Sequence, residues 1–530
     1  MRKLRFLLLL GVCVALFGVL EAKLYYLQIT KGDFYVEKAQ VLGETRENLA
    51  LRRGQVFITD RSGNEISAGL NKDYSIIYAV PKEIKNVKET ASLLAPLIGE
   101  EKEKLEETIK NSSPMFRLLV DKAPEEMQAS VEEAKLQGIH VGSKQHRYYQ
   151  FEKLASHALG FVGVNEEYDM PTGLYGIEKY YNAELAAGDE IRLTIDRNIQ
   201  TQSESILRGL METFGAKSGT VIVEEPSSGK ILALANAPDF NPNVYSKSPV
   251  EDFLNPATQS VYEPGSVFKP LTMAAGIDLG VITPETTFYD SGSVTVNGET
   301  MRNWDLKAHG TVTMTNVIEQ SINTGAIFAA RKVGKKNFLK YTKRFGFGEK
   351  TGIDLPDEVT GSLKNLERKE SQEIDLATAS FGQGTAVTPI QLIGAFGSIA
   401  NGGKLMRPYV DASKNPHVVR KTMSKETSEK VTRMMESAVE KAFVAALPEH
   451  RIAGKTGTAE IADLQQGGYL EEYNHTYVGF GPASDPKFVA LIKLERPQAI
   501  LAGATVVPAF RELARFIINY YNIPPDKPTQ

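Results

Sequence analysis

Tyr262-Glu263-Pro264-Gly265-Ser266-Val267-Phe268-Lys269-Pro270 is the stretch on which the reading of this chain turns. A Pro-Gly pair precedes Ser266, and an apolar run from Leu271 to Ile277 follows. Pro270 is compatible with a helix only in its first turn, where a missing N–H costs nothing. The pattern predicts a helix that begins around Ser266, with the hydroxyl at its N-terminus, where the dipole favours developing negative charge. Ser266 and Lys269 stand at i and i+3, on one face, so the amine reaches the hydroxyl. Serine is a weak nucleophile without a base. Lysine acts as that base only when its pKa drops from about 10.4 toward about 7–8. Burial and a second cation produce such a drop.

Two later motifs complete a set in fixed order: Ser321-Ile322-Asn323 and Lys455-Thr456-Gly457-Thr458. Lys455 is the natural second cation. Each motif alone is weak, and the chain carries its own decoys: Ser227 to Lys230, Ser62-Gly63-Asn64 and Lys350-Thr351-Gly352. Context separates them. Ser227 lies in a Pro-Ser-Ser-Gly turn, Ser62 in an Asp-Arg-Ser-Gly turn, and Lys350 leads into a loop stopped by Pro356. Read singly, Ser266 would be a helix cap, Ser321 and Asn323 polar turn residues, and Lys455 a solvated strand lysine. The ordered set argues for chemistry.

The chain of 530 residues is too long for one ordinary core. Its 42% hydrophobic and 24% charged content is that of a folded globular protein. A formal net charge of −4 gives no basic footprint for nucleic acid. Arg2, Lys3 and Arg5 precede an apolar or small run from Phe6 to Leu20. Positive charge before such a run orients the N-terminus inward and the remainder outward. The run is short for a spanning helix, with Leu4 and Leu24 to Leu27 available to extend it. Ala22 is the one small residue placed for signal cleavage, and Leu20 fits that site poorly. An uncleaved membrane anchor at residues 1–24 is expected. The single cysteine, Cys13, lies inside the apolar run, so the exported part has no disulfide.

From Tyr25 to about residue 190 short strands alternate with charged helices: Gln55 to Ile58 and Tyr74 to Val80 read as strands, and Asp60 to Asn64 as a turn. Asn86 to Ile109 reads as helices with a solvated charge cluster at Glu100 to Lys104, and Pro124 to Leu136 as a helix closed by Gly138. A boundary is placed at 190/191. Beyond it, a helix from Gln200, strands Gly219 to Val223 and Ile231 to Ala235, and later helices predict an α+β domain over 191–522, then a frayed tail at 523–530.

The pattern extends beyond the triplets. Arg53-Gly54, Ile58, Asp60-Arg61 and Gly63, then Ala155 to Gly163, then Gly176-Ile177-Glu178, form one series. The segment Tyr262 to Pro270, Gly346-Phe347-Gly348 with Thr351 to Pro356, and Ser380 to Gly384 form another. Over about residues 20–515 the chain resembles the class B penicillin-binding proteins. The resemblance implies an anchor, an elongated mixed α/β pedestal of the dimerisation type at 25–190, and a penicillin-binding transpeptidase domain with an antiparallel sheet flanked by helices, like the serine β-lactamases. It implies a serine-type D-Ala-D-Ala transpeptidase that cross-links peptidoglycan stem peptides and is trapped by β-lactams. By the same resemblance Ser266 is the nucleophile, Lys269 takes its proton, and Ser321 and Asn323 relay a proton and hold the substrate amide. Lys455 polarises the network, Thr456, Gly457 and Thr458 receive the terminal carboxylate, and the N–H groups of Ser266 and Thr458 form the oxyanion hole. A chain that only cross-links needs a separate membrane glycan polymerase as partner. No cofactor or metal is implied.

Other chemistries fare worse. Gly454-Lys455-Thr456 resembles the end of a phosphate loop, but the first glycine required falls at Glu449. No Gly-x-Ser-x-Gly and no His-Glu-x-x-His occurs. His157 and His475 are expected to be packed, and Trp304 to lie in the core, with a groove wall as the alternative. A D,D-carboxypeptidase, a β-lactamase or a β-lactam sensor on the same fold remain open at the level of sequence.

Overall fold

The computed structural model describes residues 53–527, apart from 113, 166–169, 371 and 464–466, together with Phe17, Gly18, Glu21 and Lys23. The expected anchor therefore falls almost wholly outside the described residues. Among those described, no helix is long and apolar enough to cross a membrane.

Val56–Thr59 (β1) and Glu65–Ala79 (β2) pair as an antiparallel hairpin. The turn between them closes on Asp60, whose Oδ1 accepts the N–H groups of Ser62 and Asn64 at 2.8 and 3.1 Å. Antiparallel partners Arg117–Val120 (β3) and Ile139–Tyr149 (β4) flank β2. Helices Val87–Ile98 (α1), Lys102–Lys110 (α2) and Glu125–Ala134 (α3) cover this sheet, packing Leu94, Ile98, Leu105, Ile109 and Val131 against Ile77 and Ala79. Glu100 to Lys104 are exposed, as charged residues on a helical outer face should be. The end of α3 comes earlier than Gly138. Lys135 takes a left-handed conformation, and its N–H closes on Glu132 O.

The pedestal is gathered around one carboxylate. Glu178 is fully buried and accepts from Arg53 Nε at 2.5 Å, Arg147 Nε at 2.6 Å and the Tyr149 hydroxyl at 3.3 Å. Both arginines are 5% exposed, so the three charges share a low-dielectric site in which each needs the others.

Ile191–Asp196 (β5) runs parallel to β1 and completes the pedestal sheet. Its other side belongs to the second half of the molecule. The Thr194 N–H donates to Val410 O and its hydroxyl to Ile231 O, each at 2.7 Å. The strand that follows the expected 190/191 boundary is thus held from both sides. Nearby, the Tyr181 hydroxyl reaches Asp411 Oδ2 at 2.9 Å and Asp354 Oδ2 at 3.2 Å.

The second half is built on five antiparallel strands: Ser218–Glu225 (β6), Lys230–Ala237 (β7), Ala453–Ala462 (β8), Tyr469–Gly481 (β9) and Phe488–Glu495 (β10), in the order β8-β9-β10-β6-β7. Both faces are covered, so β6, β7 and β10 carry apolar runs at Val221 to Val223, Ile231 to Ala235 and Phe488 to Ile492 rather than alternation. Phe488, Ala490, Ile492 and Leu494 pack with Arg197–Phe214 (α4) and Val506–Tyr521 (α10). Val489 and Leu491 face the opposite core, with Lys269–Asp278 (α5), Met314–Glu319 (α6), Asn323–Val333 (α7), Pro389–Ala400 (α8) and Lys425–Ala442 (α9). The result is a helix-flanked α+β domain.

Asp526 and Lys527, within the stretch expected to fray, are held in place. Asp526 accepts from the Arg451 N–H at 2.7 Å and the Ser484 hydroxyl at 2.5 Å, and Lys527 Nζ donates to Leu447 O at 3.0 Å. Prolines do not fray a segment whose polar groups find fixed partners.

Candidate active site

Ser266 lies in the single helical turn Gly265–Phe268 that runs directly into α5, so Pro270 occupies the first turn as the sequence required. Strand β8 lies directly on that turn. A Cβ on Gly457 would stand 2.7 Å from Pro264 O and 3.1 Å from Val267 Cγ1, which makes glycine a packing requirement there. Gly382 closes the turn from the other side. Its carbonyl accepts the Gly265 N–H at 3.0 Å, and with φ +81° and room for no Cβ (2.2 Å from Gly265 O) it too must be glycine. β8 is an edge strand, so its open edge faces the Ser266 turn.

Lys269 is 0% exposed. Burial first, and the neighbouring Lys455 second, push its amine well below the ordinary lysine range. Its Nζ donates to the Ser321 carbonyl at 2.5 Å and to the Ser321 hydroxyl at 3.1 Å. A neutral amine has two N–H donors and one lone pair. With both donors spent on Ser321, the lone pair remains to take a proton from a group on its own helix face.

Ser321 sits between α6 and α7 in a left-handed conformation, φ +57°. Its hydroxyl also receives Lys455 Nζ, at 3.0 Å. A serine hydroxyl has two acceptor sites and one donor. Both acceptor sites face amines, so its own proton is the part free to move. Lys455 is 4% exposed, and burial lowers its amine to about 7. It also reaches Thr456 O at 3.2 Å and Thr456 Oγ1 at 3.3 Å.

Asn323 begins α7, and its side-chain amide donates to Arg302 O at 2.8 Å. The Thr458 hydroxyl accepts the Ala502 N–H at 3.2 Å. Segments far apart in the chain thus bring Lys269, Ser321, Lys455 and Thr456 into hydrogen-bonding contact beside Ser266. The decoys stay out. Ser62 gives its N–H to Asp60 Oδ1 in the β1–β2 turn, and Thr351 beside Lys350 donates its N–H to Glu358 at 2.7 Å.

Several residues around the site carried no role in the sequence reading. Glu263 accepts from the Gly384 N–H and from the Tyr469 hydroxyl, both at 3.0 Å, and ties the Ser266 turn to the β8–β9 hairpin. Trp304 is not in the core. It is 58% exposed, and its Nε1–H donates at 3.0 Å to Gln320 O, one residue before Ser321. A lone tryptophan carries no periodicity, so its side could not be read. His157 and His475 are buried, as expected, and burial lowers both imidazoles to about 4.

Residues 219–515 match the penicillin binding protein transpeptidase domain, and residues 51–206 the penicillin-binding protein dimerisation domain. The stage V sporulation protein D of Bacillus subtilis is 30% identical, over 99% of this chain and 87% of its own. The peptidoglycan D,D-transpeptidase FtsI of Escherichia coli K12 is 28% identical, over 98% of this chain and 92% of its own. A crystal structure of penicillin binding protein 3 from Mycobacterium tuberculosis superposes with a TM-score of 0.66 at 26% identity, covering 72% of this chain and 92% of that one.

Proposed function

This chain belongs to the class B penicillin-binding proteins and is a peptidoglycan D,D-transpeptidase, and from that premise we propose that Ser266 is the residue on which its acyl-enzyme forms. The observation that carries this is the Ser321 hydroxyl held between two buried amines, Lys269 at 3.1 Å and Lys455 at 3.0 Å, beside the turn that presents Ser266. Lys269 takes the Ser266 proton as Oγ attacks the carbonyl of the penultimate D-alanine. Ser321 passes its proton to the departing amine and regains one from Lys269, and terminal D-alanine leaves. An amine of a neighbouring stem peptide then attacks the ester, loses its proton to Lys269, and Lys269 returns a proton to Oγ as Ser266 is freed.

Asn323 holds the substrate amide, while Lys455, Thr456 and the strand around Gly457 and Thr458 receive the terminal carboxylate. The Thr458 hydroxyl accepts the Ala502 N–H, which leaves its own proton to donate to that carboxylate. The N–H groups of Ser266 and Thr458 form the oxyanion hole, each such donor worth about 2.7–4 kcal/mol. β-Lactams acylate the same oxygen.

Intact-mass measurement after exposure to penicillin tests the assignment. Wild type should gain one acyl adduct and Ser266→Ala none; an adduct on the alanine variant, or sustained turnover of a chromogenic cephalosporin by wild type, would overturn it.

Residues 191–522 make up the catalytic domain in this reading, and residues 1–24 an uncleaved anchor with a cytoplasmic N-terminus and the catalytic domain outside. Residues 25–190 form the pedestal and the surface that docks a separate membrane glycan polymerase. Co-purification with that polymerase should be lost when 25–190 are removed and kept when the catalytic domain is removed; the opposite pattern refutes the docking assignment.

A further inference from the structure

Helix α7, which Asn323 opens, has no cap of its own. Its N-cap residue is Ile322, which has no side-chain acceptor for the first helical N–H groups. The acceptor comes from elsewhere: Asn303 Oδ1 takes the N–H of Asn323 at 3.1 Å and of Thr324 at 3.3 Å. Asn303 is 1% exposed, and its orientation is fixed by its own amide, which donates to Asp290 Oδ2 at 2.7 Å and to Lys307 O at 3.0 Å.

Asp290 is the centre of this arrangement. Fully buried, it also accepts the Thr324 hydroxyl at 2.6 Å, the Gly292 N–H at 2.9 Å, the His309 N–H at 3.0 Å and His309 Nδ1 at 2.7 Å. Burial pushes its carboxyl up, but these bonds outweigh burial and hold it below the ordinary carboxylate value. His309 is clamped at both nitrogens, with Nε2 reaching Asp305 Oδ2 at 3.1 Å. Between Asn303 and Asp305, Trp304 lays its N–H on Gln320 O. Residues 303–309 thus form a strap that touches 320, 323 and 324 from outside the catalytic triplets.

We infer that Asp290, Asn303, Trp304 and His309 are positioning residues of the transpeptidase, which hold Ser321 and Asn323 in register with Lys269 and Lys455 through the Asn303 cap on α7 and the Trp304 bond to Gln320. This rests on the assignment of Ser321 and Asn323 to the catalytic site. The register is exacting because the Ser321 hydroxyl must meet two amines at once, and Ser321 holds a left-handed conformation that the neighbouring chain has to maintain. A displacement of about 1 Å at such a distance from the chemistry typically costs about 100-fold in rate.

The test measures the second-order rate constant for acylation by a fluorescent penicillin, from pH 5 to 9, beside melting temperature. The proteins are wild type, Asn303→Ala, His309→Ala, Trp304→Phe and the control Lys307→Ala, whose side chain is exposed. Asn303→Ala and His309→Ala should acylate about 100-fold more slowly. Their pH profiles should also shift, because Ser321 links the two amines whose protonation sets the profile. Trp304→Phe keeps the ring but loses the bond to Gln320, and should fall several-fold with folding intact, while Lys307→Ala matches wild type.

Unchanged rate and profile in all three strap variants overturns the inference, as does a loss fully accounted for by the unfolded fraction. Should the two buried-site variants not fold, Trp304→Phe decides alone. Labelled wild type with unaffected strap variants sinks this inference only. Unlabelled wild type sinks the catalytic assignment beneath it.

Discussion

Lys269→Met should abolish covalent labelling by penicillin and yield a protein that melts at a higher temperature at pH 7. The first effect follows from the loss of the base. A positioned general base contributes about 10²- to 10⁴-fold, and methionine has no lone pair of comparable basicity. The second effect follows from proton linkage. Burial and Lys455 hold the Lys269 amine well below the ordinary lysine range in the fold, so below about pH 10.4 the unfolded state binds more protons and is favoured. The cost to the fold at pH 7 has a ceiling of about 4–5 kcal/mol, set by the distance from 7 to the unfolded lysine pKa of about 10.4. It shrinks as pH rises, to at most about 2 kcal/mol at pH 9. Against this stands the loss of two bonds to Ser321, about 1–3 kcal/mol. The gain should therefore be present at pH 7 and gone by pH 9. Scanning fluorimetry at the two pH values, with mass spectrometry of the penicillin adduct, checks both halves. Labelling at the wild-type rate, or a melting temperature lowered at pH 7, contradicts the account.

The second large effect is expected far from the chemistry. Glu178→Ala removes the one carboxylate between Arg53 and Arg147 and leaves two buried guanidiniums facing each other. Breaking a buried ion pair by deleting one partner costs about 3–5 kcal/mol, most of it the penalty of the stranded charge. The damage should be local. Hydrogen exchange in residues 53–190 should accelerate strongly, whereas the folded fraction should still be acylated, because no bond of the Ser321 cluster involves Glu178. Equal loss of protection across both halves would mean that the two unfold as one unit, and unchanged exchange would show that the arginines find other partners.

What the sequence made legible is what lies in contiguous stretches. Ser266 and Lys269 announce themselves because three residues of helix bring them together, and the Gly219 and Ile231 strands because both faces of their sheet are buried. Ser321 and Lys455 needed the order of motifs, since nothing local to either says that their side chains meet at 3.0 Å. The strap was illegible for a physical reason. Asn303 caps a helix that begins twenty residues later, and a cap supplied in trans has no fixed spacing to read. The same holds for Asp526, whose Pro-rich surroundings signal looseness while Arg451 and Ser484 hold it in place. For Trp304 hydrophobicity favoured the core over the alternative of a groove wall, whereas the residue is exposed and its indole N–H is bonded to Gln320 O, beside Ser321.

The strand Ile191–Asp196 is stitched to β1 along one edge and to Val410 and Ile231 along the other. That makes the joint a weld where a flexible linker would make a hinge. Swivelling one half against the other would break hydrogen bonds along one edge of this strand or the other.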